Sequence, residues 1–274
     1  MQYDPIKQRL GRFFDRSAFL RRVFYRLLDI LLLRTWHIHK ALRIFFREFS
    51  GKGDIRVLDA GSGFGQYTHY IASRQPGWSV LAVDLKADEI EACRKFALAS
   101  GQTNTTFEVS DLTRLTGSDR FDLILSVDVM EHIEADELVF SNFYRSLRKG
   151  GMLLISTPSD RGGSGVTHAS DNSFIEEHVR DGYGIGEITQ KLNKAGFSSV
   201  EAAYTYGVPG SISWKLSMRI PITLLGYSRV FMVVLPFYYL VTMPLVLILN
   251  LADMHMKHRS GTGLLVKAWK EESH

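Results

Sequence analysis

Short apolar runs alternate with amphipathic stretches along most of the chain. Arg56 to Ala60, Ser79 to Asp84, Thr105 to Leu112, Phe121 to Val127 and Met152 to Thr157 each read as a buried strand. Helical spacing predicts intervening helices from about Gln66, over Asp88 to Ser100, and over Glu137 to Arg148, the last closed by Gly150-Gly151. Such alternation indicates a parallel sheet covered on both faces. A polar, glycine-rich loop is expected over 159–183, then a helix over Gly186 to Ala195 with Gly196 as its C-cap. Ser199 to Tyr206 and Leu264 to Lys270 read as two last strands. Ahead of the first strand, residues 17–49 form two amphipathic helices. In the first, Leu20, Val23, Phe24, Leu27, Leu28 and Leu31 oppose Arg21, Arg22 and Arg26. In the second, Ile38, Leu42, Phe45, Phe46 and Phe49 oppose Lys40, Arg43 and Arg47.

Composition changes this picture in two places. The single cysteine, Cys93, rules out an internal disulfide framework and fits a reducing compartment. The net charge of +4 is uneven: residues 1–56 hold 13 Lys/Arg against 5 Asp/Glu. A basic arm on a mildly acidic body suits an anionic partner, lipid or nucleic acid. Arginines opposite leucines and aromatics fit a helix lying in a membrane interface. A helix capping a pocket shows the same pattern. The segment does not read as a cleavable leader, because Asp29 interrupts the leucine run and no small-residue cleavage site follows.

The chemistry concentrates after the first strand. Asp59, Gly61, Ser62, Gly63 and Gly65 form a strand end and glycine turn, with a helix start behind. Free N–H groups at such a start face an anion or polar ligand, in the crevice at the strand ends. Asp84-Leu85 ends the second strand and Asp111-Leu112 the third, so three acids stand at successive strand ends. Ser126 to Ile133 follows the fourth and contains Asp128, Glu131 and His132.

This order of motifs resembles the class I S-adenosylmethionine (SAM)-dependent methyltransferases, across roughly residues 50–206 and 262–270. The resemblance implies an α/β fold: a Rossmann-like, doubly wound, mostly parallel seven-stranded sheet, carrying the N-terminal amphipathic helices and a hydrophobic helical insertion before the last strand. It implies SAM as cofactor. The glycine loop (Asp59, Gly61, Ser62, Gly63, Gly65) would meet its methionine part, Asp84 and Leu85 its ribose, Asp111 and Leu112 its adenine, with Asp128 nearby. The block around Asp128, Glu131 and His132 resembles methyltransferases close to ubiquinone and menaquinone biosynthesis. It does not resemble the block of amino-methylating DNA enzymes, which weighs against nucleic acid. Some relatives bind a divalent metal there, which makes Asp128, Glu131 and His132 metal candidates in a less favoured reading. An alcohol or phenol acceptor must lose a proton, so His132, with Glu131 beside it, is the candidate base. His168 and His178 are alternatives.

The chain then divides into N-terminal helices (1–50), a SAM-binding core (51–207), an insertion (208–263) and a last strand with tail (264–274). Val230 to Ala252 carries no charge and is long enough to span a membrane. Pairing of the last two strands forbids a single crossing, and Pro236 and Pro244 are expected to break or kink a helix. A re-entrant or surface-dipping helical pair fits better. The alternative is a cap packed on the N-terminal helices. The expected acceptor is an apolar small molecule or lipid, with O-methylation of a quinol or phenolic lipid preferred. N- or carboxyl-methylation of a lipid, an RNA methyltransferase, and a non-catalytic SAM-binding protein are the alternatives. The expected location is cytoplasmic, peripheral or monotopic on the inner face of an anionic membrane.

Overall fold

Residues 17–51, 53–162, 179–228 and 231–271 are described by this computed structural model. Helices α1 (Ala18–Leu31) and α2 (Leu33–Glu48) precede β1 (Arg56–Ala60), α3 (Gln66–Arg74), β2 (Ser79–Asp84), α4 (Ala87–Ala99), β3 (Thr105–Val109) and β4 (Phe121–Val127). Then come α5 (Asp136–Ser146), β5 (Leu147–Pro158), α6 (Ile185–Ala195) and β6 (Ser199–Thr205). Helices α7 (Val208–Trp214), α8 (Ile220–Tyr227) and α9 (Phe231–His255) lead to β7 (Gly263–Trp269). The seven strands form one sheet in the order β3-β2-β1-β4-β5-β7-β6. β1 to β5 are parallel, and β7 is antiparallel to both β5 and β6. β6 therefore points the same way as β5, and its end at Thr205 lies on the edge where β1, β2 and β4 also end.

Alternation along the strands splits the core into two layers. Leu58, Ile124, Leu153 and Ile155 pack with Phe140, Phe143, Ile188 and Phe197 on one face. Val57, Leu123, Leu125 and Leu154 pack on the other with Ile71 and with Ile38, Leu42, Phe45 and Phe46 of α2. The apolar stripe of α2 is thus spent on the sheet, not offered to a membrane. Arg21, expected on the polar face of α1, is buried: its Nε donates to the Tyr25 hydroxyl at 2.8 Å and its Nη2 to the Phe64 carbonyl at 2.9 Å.

Three boundaries differ from expectation. α5 stops at Ser146, and Leu147 already pairs with Phe121. Gly150-Gly151 bends the start of β5 instead of closing the helix, since a Cβ at Gly151 would lie 2.8 Å from the Arg148 carbonyl oxygen. β3 ends at Val109, and Leu112–Arg114 is a 3-10 turn. β6 ends at Thr205, because Tyr206 turns to φ +55.

The insertion is a helical hairpin. Its first arm is α7, a widened turn over Lys215–Arg219, and α8; its second is α9. α9 runs through Pro236 and Pro244 without ending. The Tyr238 and Tyr239 hydroxyls donate to the Leu216 and Ser217 carbonyls at 2.7 and 2.8 Å. They satisfy acceptors in the widened turn and lock the arms together where proline weakens the helix.

Candidate active site

The glycine turn leaves β1 with Gly61, Gly63 and Gly65 all in left-handed backbone. A Cβ at Gly61 would fall 2.3 Å from Val129 Cγ2, so the close packing there excludes any side chain. At Gly63 a Cβ would meet nothing within 4 Å, so its bare backbone borders open space. The Gly63 N–H donates to Asp84 Oδ2 at 2.8 Å, and the Lys86 N–H to Asp84 Oδ1 at 3.0 Å. Asp84 is thereby fixed at the end of β2, against the turn, with further acceptor capacity on both oxygens. Leu85 beside it is exposed at 68%. Ser62 Oγ is buried without a hydrogen-bond partner. An orphaned hydroxyl, open backbone and an anchored carboxylate fit the methionine and ribose ends of SAM, which these residues would hold.

Asp59 lies beneath the turn, buried, and accepts from Thr68 Oγ1 at 2.5 Å. Burial pushes its carboxyl up to about 6, despite the Thr68 hydrogen bond. Its bond to Thr68 ties the end of β1 to α3, beneath the glycine turn. Asp111 spends Oδ1 on the Thr113 N–H and hydroxyl, at 2.8 and 2.7 Å, which caps the 3-10 turn. These bonds hold its carboxyl below the usual range. Leu112 is buried.

Just after β4, Asp128 holds a left-handed backbone at φ +51. Asp128 forms an ion pair with Arg34 from the start of α2. The Arg34 backbone N–H donates to the Tyr206 hydroxyl at 2.9 Å, and Arg34 also faces Tyr67. Burial raises the pKa of both phenols, with Arg34 pulling the other way. Glu131 is buried, and Thr157 Oγ1 donates to its Oε2 at 3.1 Å. Burial raises the Glu131 carboxyl, against the pull of His132 and Thr157. His132 is exposed.

Glu131 and His132, adjacent in sequence, thus face different surroundings, and Asp128 is engaged by Arg34. Among the described residues no three His, Cys, Asp or Glu side chains gather as a metal-ligand set. The candidate ligands Asp128, Glu131 and His132 are therefore not brought together as one. His168 and His178 lie outside the described residues.

The methyltransferase-domain family matches residues 52–199, more than half of the chain. The chain belongs to the class I SAM-dependent methyltransferases. A phosphoethanolamine N-methyltransferase of Zea mays is 30% identical over 159 residues, covering 58% of this chain and 31% of that protein. Another, of Arabidopsis thaliana, is 29% identical over 199 residues, covering 66% of this chain and 40% of its own. The chain thus spans about a third to two-fifths of the length of these curated relatives. The fold is shared with a phosphoethanolamine N-methyltransferase 2 of Haemonchus contortus solved in complex with S-adenosyl-L-methionine. That likeness has a TM-score of 0.61 at 20% identity and covers 91% of this chain and 60% of that one.

Sequence reasoning missed Arg34, Tyr67 and Tyr206. Arg34 reaches the site because the chain breaks at Leu32 (φ −93, ψ 108) between α1 and α2, in the apolar run Ile30 to Leu33, which has no glycine or proline. No local signal marks that break.

Proposed function

We propose that this methyltransferase acts on the amine of a phosphorylated headgroup. The observation that carries this reading is the pairing of opposite charges at the acceptor side: Asp128 and Glu131 beside Arg34, with the Tyr67 and Tyr206 hydroxyls close to the guanidinium. An acceptor with an ammonium and a phosphate exchanges the Arg34–Asp128 pair for two pairs of its own, so no charge is left unpaired. The named activity of the curated relatives, on phosphoethanolamine, supports the same chemistry. Bound SAM supplies a sulfonium methyl. The chain's part is to aim the nitrogen and exclude water, and to take the ammonium proton. Glu131 is suited to that proton, since burial already favours its protonated form. His132, exposed beside it, can pass the proton to water.

A second reading is O-methylation of a quinol or phenolic lipid, favoured by the apolar surface of the hairpin beside the site. The two are separated by assay with methyl-labelled SAM on phosphoethanolamine, on phosphatidylethanolamine vesicles and on a quinol. Turnover of an amine is expected. Arg34→Gln should raise KM for the phosphorylated amine about 10- to 100-fold, the scale of a charge-assisted pair, with a smaller effect on kcat. Turnover of the quinol alone would install the second reading.

A further inference from the structure

The hairpin joins the sheet at the active-site edge. It leaves from Gly207 after β6, whose end lies on the same edge of the sheet as those of β1, β2 and β4. Its root is tied into the site. Asp253 of α9 accepts from His37 Nε2 of α2 at 2.9 Å and from the Tyr206 and Gly210 N–H groups at 3.2 and 3.0 Å. Tyr206 in turn holds Arg34.

Beyond that root, among the described residues, the outer face of the hairpin stays exposed. Val233, Phe237, Leu240, Val241, Ile248 and Leu251 are 49–76% exposed and recur at helical spacing along the whole of α9. Val246, Asn250 and Asp253, on the opposite side, face the first arm and α2. Only 6% of the most apolar stretch of α9 is buried. A cap closed on the protein would bury that stripe, and water does not tolerate so large an apolar face without an occupant.

Charge indicates the occupant. Residues 208–263 contain Lys215, Arg219, Arg229, Lys257 and Arg259 against Asp253 alone, and Asp253 is buried. Lys215 and Arg219 are exposed on the first arm, and Lys257 and Arg259 at the root. Arg43 and Arg74, against the single acid Asp29, line the cleft that Leu251 and Met254 share with α2 and α3. An apolar stripe framed by exposed cations matches the headgroup and acyl boundary of an anionic bilayer. Both ends of the hairpin return to one sheet, so it enters and leaves from one side.

We propose that the 208–255 hairpin is a membrane-docking surface. It beds its outer stripe in one leaflet and sets the acceptor side of the site against the lipid headgroups. This rests on the amine reading for the acceptor and deepens it, because the amine is then drawn from the bilayer.

The test is flotation of the full chain with vesicles of phosphatidylcholine and phosphatidylglycerol, beside a Phe237→Asp, Val241→Asp variant. Both side chains are exposed at 69% and 76%, so the variant should fold, and its SAM affinity and melting temperature should match wild type. Wild type should float, and high salt should reduce the floating fraction without abolishing it. The variant should lose at least tenfold. Wild type left at the bottom of the gradient, or a variant that floats equally well, would overturn the proposal. So would a solution dimer of wild type that the same variant splits, because the stripe would then belong to a second copy. Flotation reads no activity, so a floating protein that methylates no amine would refute the acceptor reading alone.

Discussion

Asp59 shows what a sequence can place and what it cannot. Its position at the end of β1 was legible from the strand–glycine–helix pattern. Its burial was not, because that depends on α3 folding Thr68 back over it. Its carboxyl stands at about 6 in the fold, above its unfolded value. The stability linked to it is therefore complete below about pH 4 and is lost as pH rises through 6. Asp59→Asn keeps the acceptor for Thr68 and removes the charge. The variant should exceed wild type in unfolding free energy by on the order of 2–3 kcal/mol at pH 8. The gap should narrow below pH 6 and close below about pH 4, as read by denaturant titration across that range. Asp84 is the opposite case. The sequence placed it, and the structure fixes both oxygens through Gly63 and Lys86. The acceptor residues Arg34 and Tyr206 come from elements 172 positions apart, and no local pattern announces such a meeting.

The elements of the central sheet were legible because each strand is short, apolar and closed by a turn signal. The errors fell where tertiary contact overrides local preference: the start of β5, and α9 through its two prolines. The hairpin's root depends on one carboxylate. Burial opposes ionisation of Asp253, yet His37, His258 and the Gly210 N–H together hold its carboxyl below the usual range. Its contribution is therefore present above about pH 4 and is lost as pH falls through the folded pKa. Asp253→Ala would leave two histidines and two backbone N–H groups without that acceptor. It should cost roughly 3–5 kcal/mol, read as a lowered melting temperature. It should also speed proteolysis within 208–255 ahead of the core, because α9 is anchored there and the sheet is not.

At the scale of the whole molecule, two halves of one site come from different parts of the chain. The cofactor half lies on β1, β2 and the glycine turn; the proposed acceptor half gathers α2, the end of β4 and the root of the hairpin. The charge asymmetry had pointed to the N-terminal helices as the lipid-facing part. The fold spends α2 on the core and leaves the exposed apolar stripe on α9. The account stands or falls on the cofactor half, since every statement about the acceptor assumes SAM in that crevice. The most direct measurement is calorimetric titration of the full chain with SAM, beside Asp84→Ala. Wild type should bind one equivalent. The variant should bind more weakly by on the order of 1–3 kcal/mol, about 10- to 100-fold, because ribose hydroxyls and the Gly63 N–H lose their acceptor. A wild-type chain that binds no SAM, or an Asp84→Ala variant that binds it equally tightly, would contradict the account.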